Sequence, residues 1–156
     1  MYEGDDIDFL YVLRPHGWSD LLLYVGGEIH HLCITHVFSD PIVDLSYLAS
    51  SLHHRVPAIE LFLWDEPGGY RLRFKQFNEQ HHWYAVQLAS FPEGPPESSQ
   101  CIETVLVAFN IKADHFVKLI YSQLEKTAKL CEDKSYRKHR DFSYMEFNHL
   151  RQQLSD

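Results

Sequence analysis

Over residues 70–75 apolar and charged side chains alternate without a break. Tyr70, Leu72 and Phe74 fall on one side, and Arg71, Arg73 and Lys75 on the other. A period of two is the mark of a strand with one buried face. Residues 59–64 form a second β-rich run, separated from the first by Asp65-Glu66-Pro67-Gly68-Gly69. Acidic residues followed by Pro-Gly-Gly are turn chemistry, so residues 59–76 read as a hairpin. Its register stays open. If Trp64 opposes Tyr70, Phe62 pairs with Leu72 and Glu60 with Phe74, and the cations share a face with Leu63, Leu61 and Ile59. A one-residue bulge sets Glu60 opposite Arg73 instead, as a cross-strand ion pair.

The same patterning predicts strands over residues 7–14, 18–25 and 28–37. Gly26-Gly27 joins the last two, because both central residues of a tight hairpin turn take positive φ. A helix is expected from Asp40, which caps it, with Pro41 at the first position where no N–H partner is needed. Ile42, Leu45, Leu48, Ala49 and Leu52 share its apolar face; His53, His54 and Arg55 suit its negative end, and Pro57 stops it. After the hairpin come strands near residues 81–91 and 101–109, separated by a Pro-rich surface loop at 92–100. A long helix follows over residues 112–130, with Val117, Ile120, Tyr121, Leu124, Ala128 and Cys131 as its buried stripe. Ser143 and Glu146 match a capping box for a last helix, whose apolar face is Phe147, Leu150 and Leu154. The order predicts one α+β domain spanning residues 1–156. Its antiparallel, mostly meander sheet has about six or seven strands, with three helices mainly on one face.

Composition narrows the function. A formal net charge of −8 disfavours nucleic acid and anionic membranes as partners. The charge is uneven: residues 1–100 carry 14 acidic and 5 basic side chains, and residues 101–156 carry 8 and 9. The basic cluster Lys134, Arg137, Lys138, His139 and Arg140 reads as a solvated connector, with docking of an acidic partner as the alternative. Three widely spaced cysteines, Cys33, Cys101 and Cys131, argue for a reducing compartment rather than a disulfide framework. An acidic start and the absence of a long apolar run lead to a cytoplasmic expectation, with no membrane partner.

Catalytic chemistry finds little support. His30-His31, His53-His54 and His81-His82 are pairs, and adjacent strand residues point to opposite faces. His31 and Cys33 do share a face, but no dense Cys/His spacing accompanies them, so neither a metal nor a cofactor is expected. No Gly-x-Ser-x-Gly elbow or phosphate loop occurs, and the cysteines sit in apolar runs as core residues do. Asp65 and Glu66 are a carboxylate pair on a hairpin tip. Such a pair acts on a substrate or a cation in some settings, but satisfying turn amides is the preferred reading.

The runs Phe38-Ser39-Asp40-Pro41-Ile42-Val43-Asp44-Leu45 and Trp64-Asp65-Glu66-Pro67-Gly68-Gly69-Tyr70-Arg71-Leu72 carry a resemblance. So do the late Tyr136-Arg137-Lys138 and Phe142-Ser143-Tyr144-Met145-Glu146-Phe147. Together they resemble small uncharacterised bacterial proteins, some of which look like immunity proteins of polymorphic-toxin systems. The usual tract there reads Asp-Glu-Pro-Gly-Glu-Tyr-Arg-Trp, and this chain has Gly69 and Leu72 in place of Glu and Trp. The resemblance implies a compact bacterial cytosolic protein and no catalytic residue. The reading is therefore a non-enzymatic protein-binding module, of the type that masks a toxin or another protein. Asp65, Glu66, Tyr70, Arg71 and Arg73 are its candidate contact residues. A small-ligand binder or enzyme with a pocket between sheet and helices is the alternative, and self-association through an apolar sheet face is a third possibility.

Overall fold

The computed structural model describes residues 6–93 and 102–156. Seven antiparallel strands form two sheets among them. The first holds β1 (Ile7–Arg14), β2 (Trp18–Val25) and β3 (Glu28–Thr35). The second holds β4 (Ala58–Trp64), β5 (Gly69–Gln76), β6 (Trp83–Phe91) and β7 (Thr104–Lys112), in sequential order. Between the sheets runs α1 (Pro41–His53), and after them α2 (Ala113–Leu130), the short α3 (Lys134–Arg137) and α4 (Tyr144–Ser155). The α+β class and the segregation of helices from strands follow the sequence reading. The meander is broken once, because α1 intervenes between β3 and β4 and those two strands share no ladder. Residues 36–37 fall outside β3, and the last strand lies three residues beyond its expected end; its expected first residue, Cys101, is outside the described residues.

Alternation makes both sheets two-faced. Ile7, Phe9, Tyr11 and Leu13 of β1 meet Val25, Leu23, Leu21 and Ser19 of β2 across the ladder, and all eight are buried. In the second sheet Ile59, Leu61 and Leu63 oppose Phe74, Leu72 and Tyr70. One continuous cluster joins these inner faces to α1, α2 and α4. The α2 stripe is buried as expected at Val117, Ile120, Leu124, Ala128 and Cys131, and Phe116 extends it into contact with Phe9, Phe74 and Phe109. α4 packs on the other helices through Phe147, whose ring stacks on Tyr121 at 5.6 Å.

Local chemistry decides the ends. Asp40 Oδ1 accepts from the Ile42 N–H at 2.9 Å, which makes the expected cap of α1. Arg55 donates to the Leu52 carbonyl at 2.8 Å and closes the same helix. The capping box at α4 does not form. Ser143 instead donates to the second oxygen of Asp40, so one carboxylate serves the start of α1 and ties down the start of α4. Gly26 and Gly27 both take positive φ, 56° and 88°, as the tight turn between β2 and β3 requires.

The free edge of β1 is covered by side chains. The Tyr11 N–H donates to Gln123 and its carbonyl accepts from Lys126, while the Leu13 carbonyl accepts from Tyr136 and Arg140. Arg140 therefore leaves the basic cluster for a structural post, with its guanidinium 4.0 Å from the Tyr136 ring centre. Capping an edge in this way removes a template for intermolecular strand pairing.

Candidate functional site

The hairpin register resolves the open question about the cations. Trp64 opposes Gly69, which places Phe62 opposite Arg71, Glu60 opposite Arg73 and Ala58 opposite Lys75. The four residues Asp65 to Gly68 make the turn, so Glu60 meets Arg73 without a bulge in this pair of strands. The Asp65 N–H donates to the Gly68 carbonyl at 2.9 Å. Gly68 and Gly69 have no positive φ; they are needed for room. A Cβ on Gly68 would lie 2.0 Å from the Phe91 carbonyl oxygen, and one on Gly69 2.5 Å from that of Leu63.

Arg71 and Arg73 lie on the outer face of the second sheet, away from the helices, but they are not a bare cationic strip. Arg71 reaches Glu60 at 3.2 Å and pairs more closely still with Glu103, while Arg73 lies 3.1 Å from Glu60 and 3.8 Å from Glu103. Two acids neutralise two bases. Arg71, with 11% of its side chain exposed, is the inner member and braces the start of β7. Glu103 was invisible as a partner in the sequence, since nothing there links it to a residue more than thirty positions earlier.

Beside this network stands an aromatic cluster. Trp64 packs against Phe62 at 6.0 Å, Phe91 at 5.6 Å and Phe38 at 5.3 Å between ring centres. Phe91 is buried, Phe62 and Trp64 are half-buried, and Phe38 is 59% exposed beside the exposed Val37. The three pairs are stacked, edge-on and tilted in turn, and offset or edge-on rings at such spacings are favourable geometries. Phe38 comes from the segment after β3, so the cluster spans the break between the sheets. Trp64 and Phe38 stand in separate sequence runs, and nothing in the sequence marks them as neighbours.

The remaining sequence candidates separate. Tyr70 opposes Leu63 on the inner side of the sheet and packs beside the core. Asp65 and Glu66 sit at the tip, where they share with Tyr70 a shallow cleft of about 510 Å³ that also touches Phe91 and Thr104. Among the described residues the Asp65 carboxylate bonds no turn amide, contrary to the preferred reading; its burial raises its pKa above the usual carboxylate value. Arg71 and Arg73 therefore act on one side of the sheet and Tyr70 on the other.

The catalytic possibilities have little geometry behind them. His31 and Cys33 do share the outer face of the first sheet, where His31 Nε2 lies 2.8 Å from Asp20. Among the described residues no group of three or more His, Cys, Asp or Glu side chains converges for a metal ion. Cys33 is a half-buried outer-face residue rather than a core one, and burial raises its thiol pKa, the wrong direction for a nucleophile. Cys131 is fully buried, as expected. An open groove of about 670 Å³ runs along Pro57–Glu60, Arg73–Asn78 and His81. Its His81 bonds the Asn78 carbonyl, and its Glu60 is engaged by Arg73. A comparison with known protein families, with curated proteins and with solved structures finds no match for this chain.

Proposed function

We propose that this protein is a non-enzymatic module that binds another protein through the outer face of its second sheet. One observation carries this reading: an aromatic platform of Phe38, Phe62 and Trp64 stands outside the core, bordered by the Arg71–Glu60–Arg73–Glu103 network. Aromatic and Arg side chains are enriched at protein interfaces, where rigid rings contribute area with little loss of conformational freedom. The platform is already ordered by its own contacts, which reduces the entropy lost on docking. Arg71 and Arg73 are held by carboxylates in the free protein. They contribute orientation and hydrogen bonding rather than net positive charge, and the chain's net charge of −8 favours a basic partner. A toxin masked by an immunity-type protein is one partner of that kind, in keeping with the resemblance of the hairpin tract.

The test is capture of partner from the native host by the wild type, by Trp64→Ala, by Phe38→Ala and by Arg71→Glu/Arg73→Glu. Met145→Ala, on the helical side, is the control. Capture is expected to fall at least tenfold with Trp64→Ala and with Phe38→Ala, and to be unchanged in the control. Equal capture by Phe38→Ala and the wild type removes this face from the interface. Phe38 is the decisive position because its exposure makes the substitution safe for folding.

A further inference from the structure

Beneath the first sheet a chain of polar atoms runs into a histidine. The Tyr11 hydroxyl lies 2.6 Å from Ser19 Oγ, and Ser19 Oγ lies 2.6 Å from His36 Nε2. Tyr11 and Ser19 are both 0% exposed, and His36 is half-buried. Among the described residues the two hydroxyls have no other partner. Two O–H groups therefore need two acceptors in line. Tyr11 donates to Ser19, Ser19 donates to His36 Nε2, and the imidazole carries its hydrogen on Nδ1. The account closes only while His36 is neutral.

Protonation reverses the last link. Imidazolium Nε2 donates to Ser19 Oγ, and the two hydroxyl hydrogens then have one acceptor between them. Whichever way the pair turns, one buried hydroxyl hydrogen is left without an acceptor, a costly state in a low-dielectric interior. The charged groups facing His36 are Asp40, ahead of α1, and Asp141, ahead of α4; both favour the imidazolium. Burial opposes them and prevails, so the imidazole pKa lies below its ordinary value. The Gly17 carbonyl, in the β1–β2 turn, accepts from the His36 N–H at 2.9 Å and gives the ring no charge to pair with.

His36 is the first residue of the segment that carries Val37 and Phe38. Apart from the His36 bonds, that segment is held by the Val37 N–H to Thr35 Oγ1, at 3.3 Å, by the Phe38 ring on Trp64 and, at its far end, by the Ser39 side chain on Asp44. The geometry points to His36 as a proton-operated latch on residues 36–39. Neutral His36 closes the chain from Tyr11 and Ser19 and seats Phe38 on Trp64; protonated His36 leaves a buried O–H without an acceptor and releases the segment. The latch stands on this hydrogen-bond chain alone. Its effect on a partner rests on the proposed use of the aromatic platform, and acid release of that partner is the consequence.

Amide hydrogen exchange of the isolated protein tests the latch without any partner. Protection of residues 36–39 is measured against that of β2, at about pH 7.5 and about pH 5, on either side of the ordinary histidine range. The wild type is expected to lose about tenfold or more of this relative protection in acid. Tyr11→Phe/Ser19→Ala removes both hydroxyls and little volume, and should show the same low protection at both pH values. His36→Gln offers an amide oxygen that accepts from Ser19 without titrating, and should stay protected in acid. Equal relative protection of the wild type at both pH values overturns the latch. So does an acid loss that persists at full size in the double variant. Loss of capture by Phe38→Ala with no acid effect on exchange would leave the interface standing and the latch refuted; the opposite pattern would do the reverse.

Discussion

Individual residues in this protein are chosen as often for the space they leave as for what they contact. Gly68 and Gly69 show it most clearly. Pro-Gly-Gly in a turn suggests left-handed backbone, yet here the neighbouring strand ends pass too close for a Cβ. Gly68→Ala is therefore expected to destabilise by about 1–3 kcal/mol or more, since the obstructing atoms are backbone and cannot swing away. Urea unfolding checks this, and a midpoint equal to that of the wild type would show that the turn opens freely. Arg71 is a second case of a residue read correctly in kind and incompletely in role. Alternation sets it on the face opposite Leu72 and Phe74, whereas the outward sense of that face and its near-burial between Glu60 and Glu103 depend on how the sheet packs and where the chain returns after β6.

At the scale of elements, single side chains join pieces that are distant in sequence. Asp40 caps α1 and holds Ser143 at the entry to α4. Phe147 fixes α4 from the other side, buried completely and in contact with Tyr121 and Phe142. Its truncation to alanine is expected to cost about 3–5 kcal/mol and to loosen α4 before the sheets. A denaturation curve with a lowered midpoint, together with faster amide exchange over residues 144–155, is the expected signature. Exchange that rises uniformly across the chain would instead mean that α4 is part of the common cooperative unit. The hairpin of β4 and β5 was the most legible element, because alternation specifies its two faces. Its register was not, because turn length and a one-residue slip trade against each other until the turn is built.

For the whole molecule, one core shared by both sheets and three helices ties stability to the buried polar chain at its end. The sign of the acid response follows from His36. Its folded-state pKa is lowered from the ordinary 6.5, so the unfolded chain takes up a proton first as the pH falls. The contribution to stability is complete above about pH 6.5 and is lost as the pH falls through the lower, folded value. Urea midpoints should drop between about pH 7.5 and pH 5, and the drop should be smaller in His36→Gln. A drop of equal size in that variant would assign the acid response to other groups.

Apart from the short α3, missed in what read as a basic connector, the linear pattern by itself determined the seven strands and three long helices, the α+β class, the cap at Asp40, the helical stripe of α2 and the two faces of each strand. These depend on periodicity and on neighbours within a few positions, so the information is local. Only the tertiary structure decided that the sheet divides at α1, that Glu103 comes to Arg71, that Phe38 crosses to Trp64, and that Tyr11, Ser19 and His36 line up. Those are contacts between residues brought together by packing, and a single sequence carries no periodic trace of them. The capping box shows the same limit from the other side. Ser143 and Glu146 satisfy the local rule, and the carboxylate of Asp40, over a hundred residues earlier, takes the hydroxyl instead. Local chemistry proposed a partner, and the fold offered Ser143 a charged acceptor in its place.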